Sequence, residues 1–310
     1  MKLLDFLEYA VVRLLLALLR RLGPIAASNL AGRLARLLGP LLPVSLVAGR
    51  NFRAAMPGLG RAERRRLIRA VWENLGRTAG ELPHLAALEI TPEGPGFAVE
   101  GGEHLRPGPA IYVSAHYGNW EALPVIVARS GQVFSSFYRA ARNARVDALI
   151  QALRLGALRR EVPMFPKGAA GARGAVSHLA GGGAIGMLLD QKLNDGIEVP
   201  FLGLPAMTAP AAAAFALRYR CPVIPGRIER EAPARLRLIV EAPLDLPDSG
   251  DREADIRTLT GAINARFGAW ITANPGAWLW LHRRWAKETI AAAHTRRAAD
   301  RKSKNKTYVK

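Results

Sequence analysis

A histidine and a glutamate five positions apart, His116 and Glu121, carry the clearest chemical signal in the chain. They lie in the stretch AIYVSAHYGNWE (110–121), which begins as an apolar, β-branched run typical of a buried strand. The histidine therefore follows the carboxyl end of a strand, where open α/β sheets bind their ligands. If the glutamate lies in the first turn of the next helix, its carboxylate can accept the Nδ1–H of the imidazole and make Nε2 a general base. The alternative is a structural histidine beside a glutamate that the helix dipole favours.

Polar side chains also follow two other predicted strands. Tyr138-Arg139 ends one of them and Asp190-Gln191 ends another, so one pocket lined by histidine, carboxylates and arginine is expected. Arg139 has three open interpretations: a donor to a developing oxyanion, a ligand for an acceptor phosphate, or an ion-pair partner of Asp190. Backbone N–H groups around Gly118 are the other candidate oxyanion donors.

Composition limits the partners. The chain has 310 residues, half of them apolar, with a net charge of +19 and a pI of about 11.1. Such a charge favours anionic partners, but aromatic residues make up only 7% and none interleave with a basic stretch, so anionic lipid is preferred over nucleic acid. The single cysteine, Cys221, excludes a disulfide within the chain and a cysteine-based metal site. We found no cleavable signal peptide, which predicts a cytoplasmic catalytic part.

The pattern from residue 97 onward predicts an α/β fold with a central mixed, mostly parallel sheet and helices on both faces. The predicted strands are 97–100, 109–114, 132–137, 161–165, 184–189, 197–201, 222–228 and 235–241. The predicted helices are 119–130, 143–158, 169–180, 208–220 and 251–272. The glycines 181–183 lack the lysine and serine or threonine of a phosphate loop and precede a strand, so they predict a turn.

The amino-terminal part predicts membrane contact. Residues 2–22 form a helical pattern that is apolar nearly all round, and Arg13 interrupts it. An interfacial helix fits best; a tilted span with a snorkelling arginine and a helix packed on the domain remain open. We therefore predict a membrane-associated helical segment over 1–48, an α/β domain over 49–295, and a basic, disordered tail over 296–310.

The ordered series of motifs resembles the late acyltransferases of lipid A biosynthesis, the lauroyl/myristoyl transferases, within the superfamily that carries an H-x4-D/E motif. The resemblance covers nearly the whole chain except the tail. The matching pieces are His116-Tyr117-Gly118-Asn119-Trp120-Glu121, Tyr138-Arg139, Asp190-Gln191, VPFLG (199–203) and WLWLHRRW (278–285), with Asn51, Pro57 and Trp72-Glu73-Asn74 upstream. For the last motif, Arg283 and Arg284 could contact phosphate or membrane or merely reach solvent, and its tryptophans are expected to serve packing or interfacial anchoring.

The resemblance implies an enzyme on the cytoplasmic face of the inner membrane. It would move a fatty acyl group from acyl carrier protein to a glucosamine-based phospholipid, with no cofactor or metal. His116 would be the base and Glu121 its orienter, and the implied substrate-binding residues are Gly118, Asn119, Tyr138, Arg139, Asp190 and Gln191. The alternatives are a membrane acyltransferase for another glycerolipid or glycolipid, a non-enzymatic binder of anionic membranes or nucleic acid, and a serine hydrolase.

Overall fold

The elements follow the predicted alternation. A computed structural model describes residues 3–132, 134–138, 141–166 and 168–295; Arg139 and the predicted tail 296–310 lie outside these ranges. The helices within them are α1 Leu3–Arg21, α2 Pro24–Leu38, α3 Ser45–Ala55, α4 Arg61–Glu81, α5 Leu123–Arg129, α6 Ala144–Leu158, α7 Ala169–Ala180, α8 Ala211–Tyr219 and α9 Arg252–Ala273, and residues 287–295 are also helical. The strands are β1 Gly96–Glu100, β2 Ala110–Ser114, β3 Phe134–Tyr138, β4 Met164–Pro166, β5 Ala184–Leu188, β6 Ile197–Phe201, β7 Leu204–Thr208, β8 Val223–Ala232 and β9 Arg235–Val240.

A mixed, mostly parallel sheet forms the centre, which confirms the predicted fold class. In the described part of the chain it has seven strands in the order β1-β9-β8-β2-β5-β3-β4, and only β8 and β9 pair antiparallel. Strand β6 does not join this sheet. It forms a hairpin with β7, in which Leu202 and Gly203 both have positive φ, as a tight two-residue turn requires.

Each face of the central sheet carries its own core. Side chains alternate along β2, so Ile111 and Val113 pack into one hydrophobic cluster and Tyr112 into another. We call these the α8-side core, which contains residues of helix α8, and the α5-side core, which contains residues of helix α5. Because helices cover both faces, the strands are apolar on both sides, as parallel strands usually are.

The amino-terminal helix α1 lies on the outside of this body. None of its residues is buried, and six of its eight leucines are about half to three-quarters exposed, from Leu7 at 49% to Leu4 at 74%, while Leu16 and Leu19 are partly buried. In the described ranges, no single helix is long and apolar enough to cross a bilayer. The segments Pro24–Leu41 and Ser45–Ala55, bent by 82° at their junction, reach that length and composition only as a pair.

Candidate active site

His116 meets a carboxylate that comes from the neighbouring strand. Strands β2 and β5 pair in parallel with Ser114 opposite Leu188, so the residues that follow them leave the sheet side by side. His116 and Asp190 each lie two residues past this pair. Their side chains touch, with 2.8 Å between His116 Nδ1 and Asp190 Oδ1. The carboxyl edge of the sheet therefore holds a histidine–aspartate pair.

The predicted contact of His116 Nδ1 with Glu121 is wrong. Both carboxylate oxygens of Glu121 accept hydrogen bonds from Arg154 on α6, at 2.7 and 2.8 Å. Helix α5 begins only at Leu123, with Pro124 in its first turn, so Glu121 lies in the preceding turn rather than in the helix. The residue predicted as the orienter is thus held by an arginine, and the carboxylate that contacts His116 Nδ1 is that of Asp190.

Asp190 is fully buried and ionised. Burial alone would raise the pKa of the Asp190 carboxyl. The charge interaction with His116, the hydrogen bond to His116 and the hydrogen bond from Trp278 outweigh burial and hold this pKa below its ordinary value. Trp278 Nε1 donates to Asp190 Oδ2 at 2.7 Å, while Oδ1 faces the imidazole. An anion at Nδ1 keeps the proton there and makes Nε2 the basic nitrogen.

Two more groups border the imidazole. Gln191 Nε2 lies 3.5 Å from His116 Nε2, and the Trp120 ring meets the imidazole edge-on with 5.3 Å between ring centroids. His282 Nε2 lies 3.3 Å from the backbone oxygen of Asp190, and burial lowers the pKa of His282 below its ordinary value.

Side chains of helix α4 hydrogen-bond to the turn that follows His116. Asn74 Nδ2 donates to the Gly118 oxygen at 2.9 Å, and Thr78 Oγ1 donates to the same oxygen at 3.2 Å. Gly118 has a φ of +59°, and a Cβ there would lie 1.7 Å from the oxygen of Ile228. Only glycine fits this turn, because any side chain would collide with backbone.

Two predicted substrate ligands, Gly118 and Asn119, take part in this support. The N–H of Gly118, proposed as an oxyanion donor, donates to the oxygen of Ala277 at 3.0 Å. Asn119 is fully buried, and its Nδ2 donates to Glu81 Oε2 at 2.7 Å, so its side chain does not reach the cavity. Both residues hold the shape of the turn, and substrate binding by them stays a prediction.

Glu81 organises a buried polar cluster that the motifs did not reveal. It is fully buried and accepts from Arg230 Nε and Nη2, each at 2.9 Å, and from Ser28 Oγ at 2.7 Å. Although burial would raise the pKa of Glu81, the nearby Arg230 guanidinium keeps it below the ordinary value. The usable signal was the polar spacing of Asn74, Thr78 and Glu81, which places all three on one face of α4.

The carboxy-terminal motif is a core element. Trp278, Trp280 and Arg284 are fully buried. Arg284 donates to the oxygen of Met207 at 2.9 Å and to Thr208 Oγ1 at 2.7 Å, and burial lowers its pKa to about 10. The suggested phosphate or membrane contact of Arg284 is therefore wrong, and the tryptophans serve packing.

An apolar cavity of about 550 Å³ opens beside the histidine. Its lining includes His116, Glu121, Tyr138 and Gln191, so two predicted substrate ligands, Tyr138 and Gln191, do face it. Its interior is lined mainly by aliphatic and aromatic side chains. Cavities of roughly 300–1,000 Å³ with few polar groups are typical of ligand sites. The arrangement places the His116 imidazole beside a space of the size and apolar character that suit hydrocarbon.

Comparison with known proteins gives one strong match. Residues 2–287 match the family model described as bacterial lipid A biosynthesis acyltransferase. Among solved structures, the 1-acyl-sn-glycerophosphate (LPA) acyltransferase PlsC from Thermotoga maritima is similar with a TM-score of 0.35 and 13% identity, covering 74% of this chain and 97% of that one. Similarity at that level carries no functional argument. No curated protein matched the chain.

Proposed function

The chain belongs to the bacterial lipid A biosynthesis acyltransferase family, as its motifs predicted, and is therefore an acyltransferase; we propose the following acyl donor and acceptor. The donor is the fatty acyl thioester of acyl carrier protein, and the acceptor is a hydroxyl of a glucosamine-based phospholipid precursor of lipid A. The observation that supports this most is the His116–Asp190 pair at the mouth of an apolar cavity.

His116 acts as a general base. Its Nε2 takes the proton of the acceptor hydroxyl as that oxygen attacks the thioester carbon, and buried Asp190 stabilises the imidazolium that forms. When the tetrahedral intermediate collapses, the carbon–sulfur bond breaks and the imidazolium returns the proton to the thiolate. The products are an ester and the free thiol of the carrier. No acyl-enzyme forms, so a nucleophilic serine or cysteine is not needed.

The negative oxygen of the intermediate needs a donor. Arg139, the residue after Tyr138, keeps that role in our proposal, since Gly118 N–H is already used within the turn. An arginine would also suit a phosphate of the acceptor, because its planar fork binds phosphate through two hydrogen bonds.

The cavity binds hydrocarbon. Burying an acyl chain contributes about 0.8 kcal/mol per methylene, so the cavity would hold the donor chain and discriminate by length. Leu123, Phe134 and Leu158 line it and are at least nine-tenths buried. The thioester would then lie at the mouth, where the imidazole lies.

The exposed leucines of α1 form an apolar surface that we propose lies on the cytoplasmic face of the inner membrane. Leu41 and Leu46, at the junction of α2 and α3, are 79% and 65% exposed and extend this apolar surface. Arg13, Arg20 and Arg21 provide positive charge for anionic headgroups. The excess of basic residues would also steer an acidic carrier protein toward the enzyme.

The test uses purified protein, acyl carrier protein thioester and a lipid A precursor in detergent or vesicles. Mass spectrometry should find one added acyl chain with the wild type and none with His116→Ala. Glycerol 3-phosphate, offered as the sole acceptor, should remain unmodified. Acylation of glycerol phosphate in preference to the glucosamine lipid would contradict the proposed acceptor, and full activity of His116→Ala would contradict the mechanism.

A further inference from the structure

Two asparagines of the upstream motifs, Asn51 on α3 and Asn74 on α4, use their side chains in the same way. Neither residue lines the apolar cavity. In each of them the Nδ2 group donates to two backbone oxygens, so both amide hydrogens are used. The accepting oxygens are those of Gly118 at 2.9 Å and Ala277 at 3.1 Å for Asn74, and those of Trp280 at 3.0 Å and His282 at 2.8 Å for Asn51.

Three of these four oxygens belong to residues 277–282, which we call the tryptophan segment. Residues 278–282 lie in no helix or strand, and an isolated bridge between Tyr117 and Trp278 joins them to the turn after His116. Because no sheet ladder satisfies the backbone of this segment, its oxygens need partners elsewhere. The two asparagines supply those partners, and they thereby fix the path of the segment through the α8-side core.

The tryptophan segment in turn holds Asp190. Trp278 is fully buried, and its Nε1 donates to Asp190 Oδ2 at 2.7 Å. His282 Nε2 lies 3.3 Å from the backbone oxygen of Asp190. The indole N–H sets the rotation of the carboxylate, whose other oxygen lies 2.8 Å from His116 Nδ1. A shift of the segment would therefore move the carboxylate away from the imidazole.

Both asparagines are themselves held in place. Arg230 Nη1 donates to Asn74 Oδ1, and a guanidinium can only donate, so the NH₂ group of Asn74 must face the backbone oxygens. Beside Asn51, the Phe52 ring stacks on Trp280 with 3.9 Å between ring centroids. Asn51 and Phe52 are both buried, so α3 holds the tryptophan segment by an amide and a ring together.

We propose that Asn51 and Asn74 are positioning residues for acyl transfer. They act through the tryptophan segment, which keeps the Trp278 N–H on Asp190, and through Asp190 they act on the tautomer of His116. Asn74 acts a second time on the turn that follows the histidine. This inference rests on the proposed acyl transfer, and it gives the upstream asparagines a role in the reaction.

The test uses Asn51→Asp and Asn74→Asp. Each substitution keeps the shape of the side chain, removes both amide hydrogens and places an oxygen against the backbone oxygens. A misplacement of about 1 Å can cost about 10²-fold in rate, so kcat should fall by about that factor while KM stays unchanged. Transfer from carrier thioester to the lipid A precursor is followed by mass spectrometry. Asn29→Asp is the matched control: Asn29 Oδ1 accepts from Arg77 at 2.9 Å, an aspartate keeps that acceptor, and kcat should stay at the wild-type value.

A second readout separates positioning from a general loss of stability. The six tryptophans are labelled with ¹⁵N, and the indole N–H resonance of Trp278 is assigned with Trp278→Phe. A hydrogen bond to a buried carboxylate shifts this proton downfield, so it should move upfield in both asparagine variants and stay in place in Asn29→Asp. If an aspartate variant does not fold, the alanine variant of the same asparagine, which removes the amide without adding charge, takes its place with the same expectations.

A variant that keeps the wild-type kcat, or that loses kcat while the Trp278 resonance stays in place, would overturn the assignment of that asparagine. Absence of transfer by the wild type would instead refute the proposed function, because the indole resonance can be followed without any turnover.

Discussion

Replacing Asp190 with asparagine removes one charge at nearly constant shape. In the wild type two donors face this carboxylate, His116 Nδ1 at 2.8 Å and Trp278 Nε1 at 2.7 Å. An asparagine offers only one oxygen and places an NH₂ group against the other partner. The indole N–H cannot change its role, whereas the imidazole can move its proton. The asparagine oxygen should therefore face Trp278, and its NH₂ group should donate to Nδ1.

The consequence is the wrong tautomer. An unpaired buried indole N–H would cost about 1–3 kcal/mol, so the histidine would hold its proton on Nε2 with a preference of roughly 5- to 150-fold. Loss of the anion beside the imidazolium adds to this. General-base catalysis contributes about 10²–10⁴-fold, and we expect kcat of Asp190→Asn to fall by that range while KM changes little.

Acyl transfer from carrier thioester to the lipid A precursor, followed by mass spectrometry, measures the loss. Asp195→Asn is the matched control, because Asp195 is exposed on the loop after β5 and should retain full activity. A cooperative thermal unfolding transition would show that the variant folds. A kcat of Asp190→Asn within tenfold of the wild type would refute the assignment of the orienting carboxylate.

Three further predictions concern Glu121, the buried Glu81 and the exposed face of helix α1. Glu121→Gln keeps one acceptor for Arg154, so its kcat should fall less than tenfold, a loss about 10- to 1,000-fold smaller than that of Asp190→Asn. Equal losses of kcat in the two variants would instead support Glu121 as the partner of His116. Glu81→Gln leaves Arg230 buried without its anion and should lower the free energy of unfolding in urea by about 3–5 kcal/mol. Because the folded-state pKa of Glu81 is lowered, the stability that its carboxylate contributes is present above about pH 4 and is lost on acidification. The difference in free energy of unfolding between the wild type and Glu81→Gln should therefore shrink at acidic pH. A difference that stays constant with pH would contradict this. Leu14→Glu, at a site 60% exposed on α1, should weaken binding to anionic vesicles without changing unfolding, and unchanged vesicle binding would count against membrane contact by this helix.

The strand ends were predictable because local patterns fix them. The apolar run before His116 ends β2, and the run before Asp190 ends β5. What the sequence could not reveal was that β5 lies directly beside β2 while β3 lies outside it. Glu121 was favoured because it is near in sequence, yet the true partner is 74 positions away. Pairing between distant strands depends on packing of the whole sheet, which no local pattern encodes.

Other errors have similarly physical causes. Strand β7 was not predicted, and it exists because β6 pairs with it across a tight turn. Asn119 looked functional because it lies between His116 and Glu121, but its side chain points into the Glu81 cluster. A motif gives the order of residues and not the direction of each side chain.

The most direct test is the tautomer of neutral His116, read by ¹⁵N NMR of the imidazole. We predict a proton on Nδ1 in the wild type and in Glu121→Gln, and a shift of that proton to Nε2 in Asp190→Asn. A tautomer that changes in Glu121→Gln and stays the same in Asp190→Asn would contradict the histidine–aspartate pair as the centre of the active site.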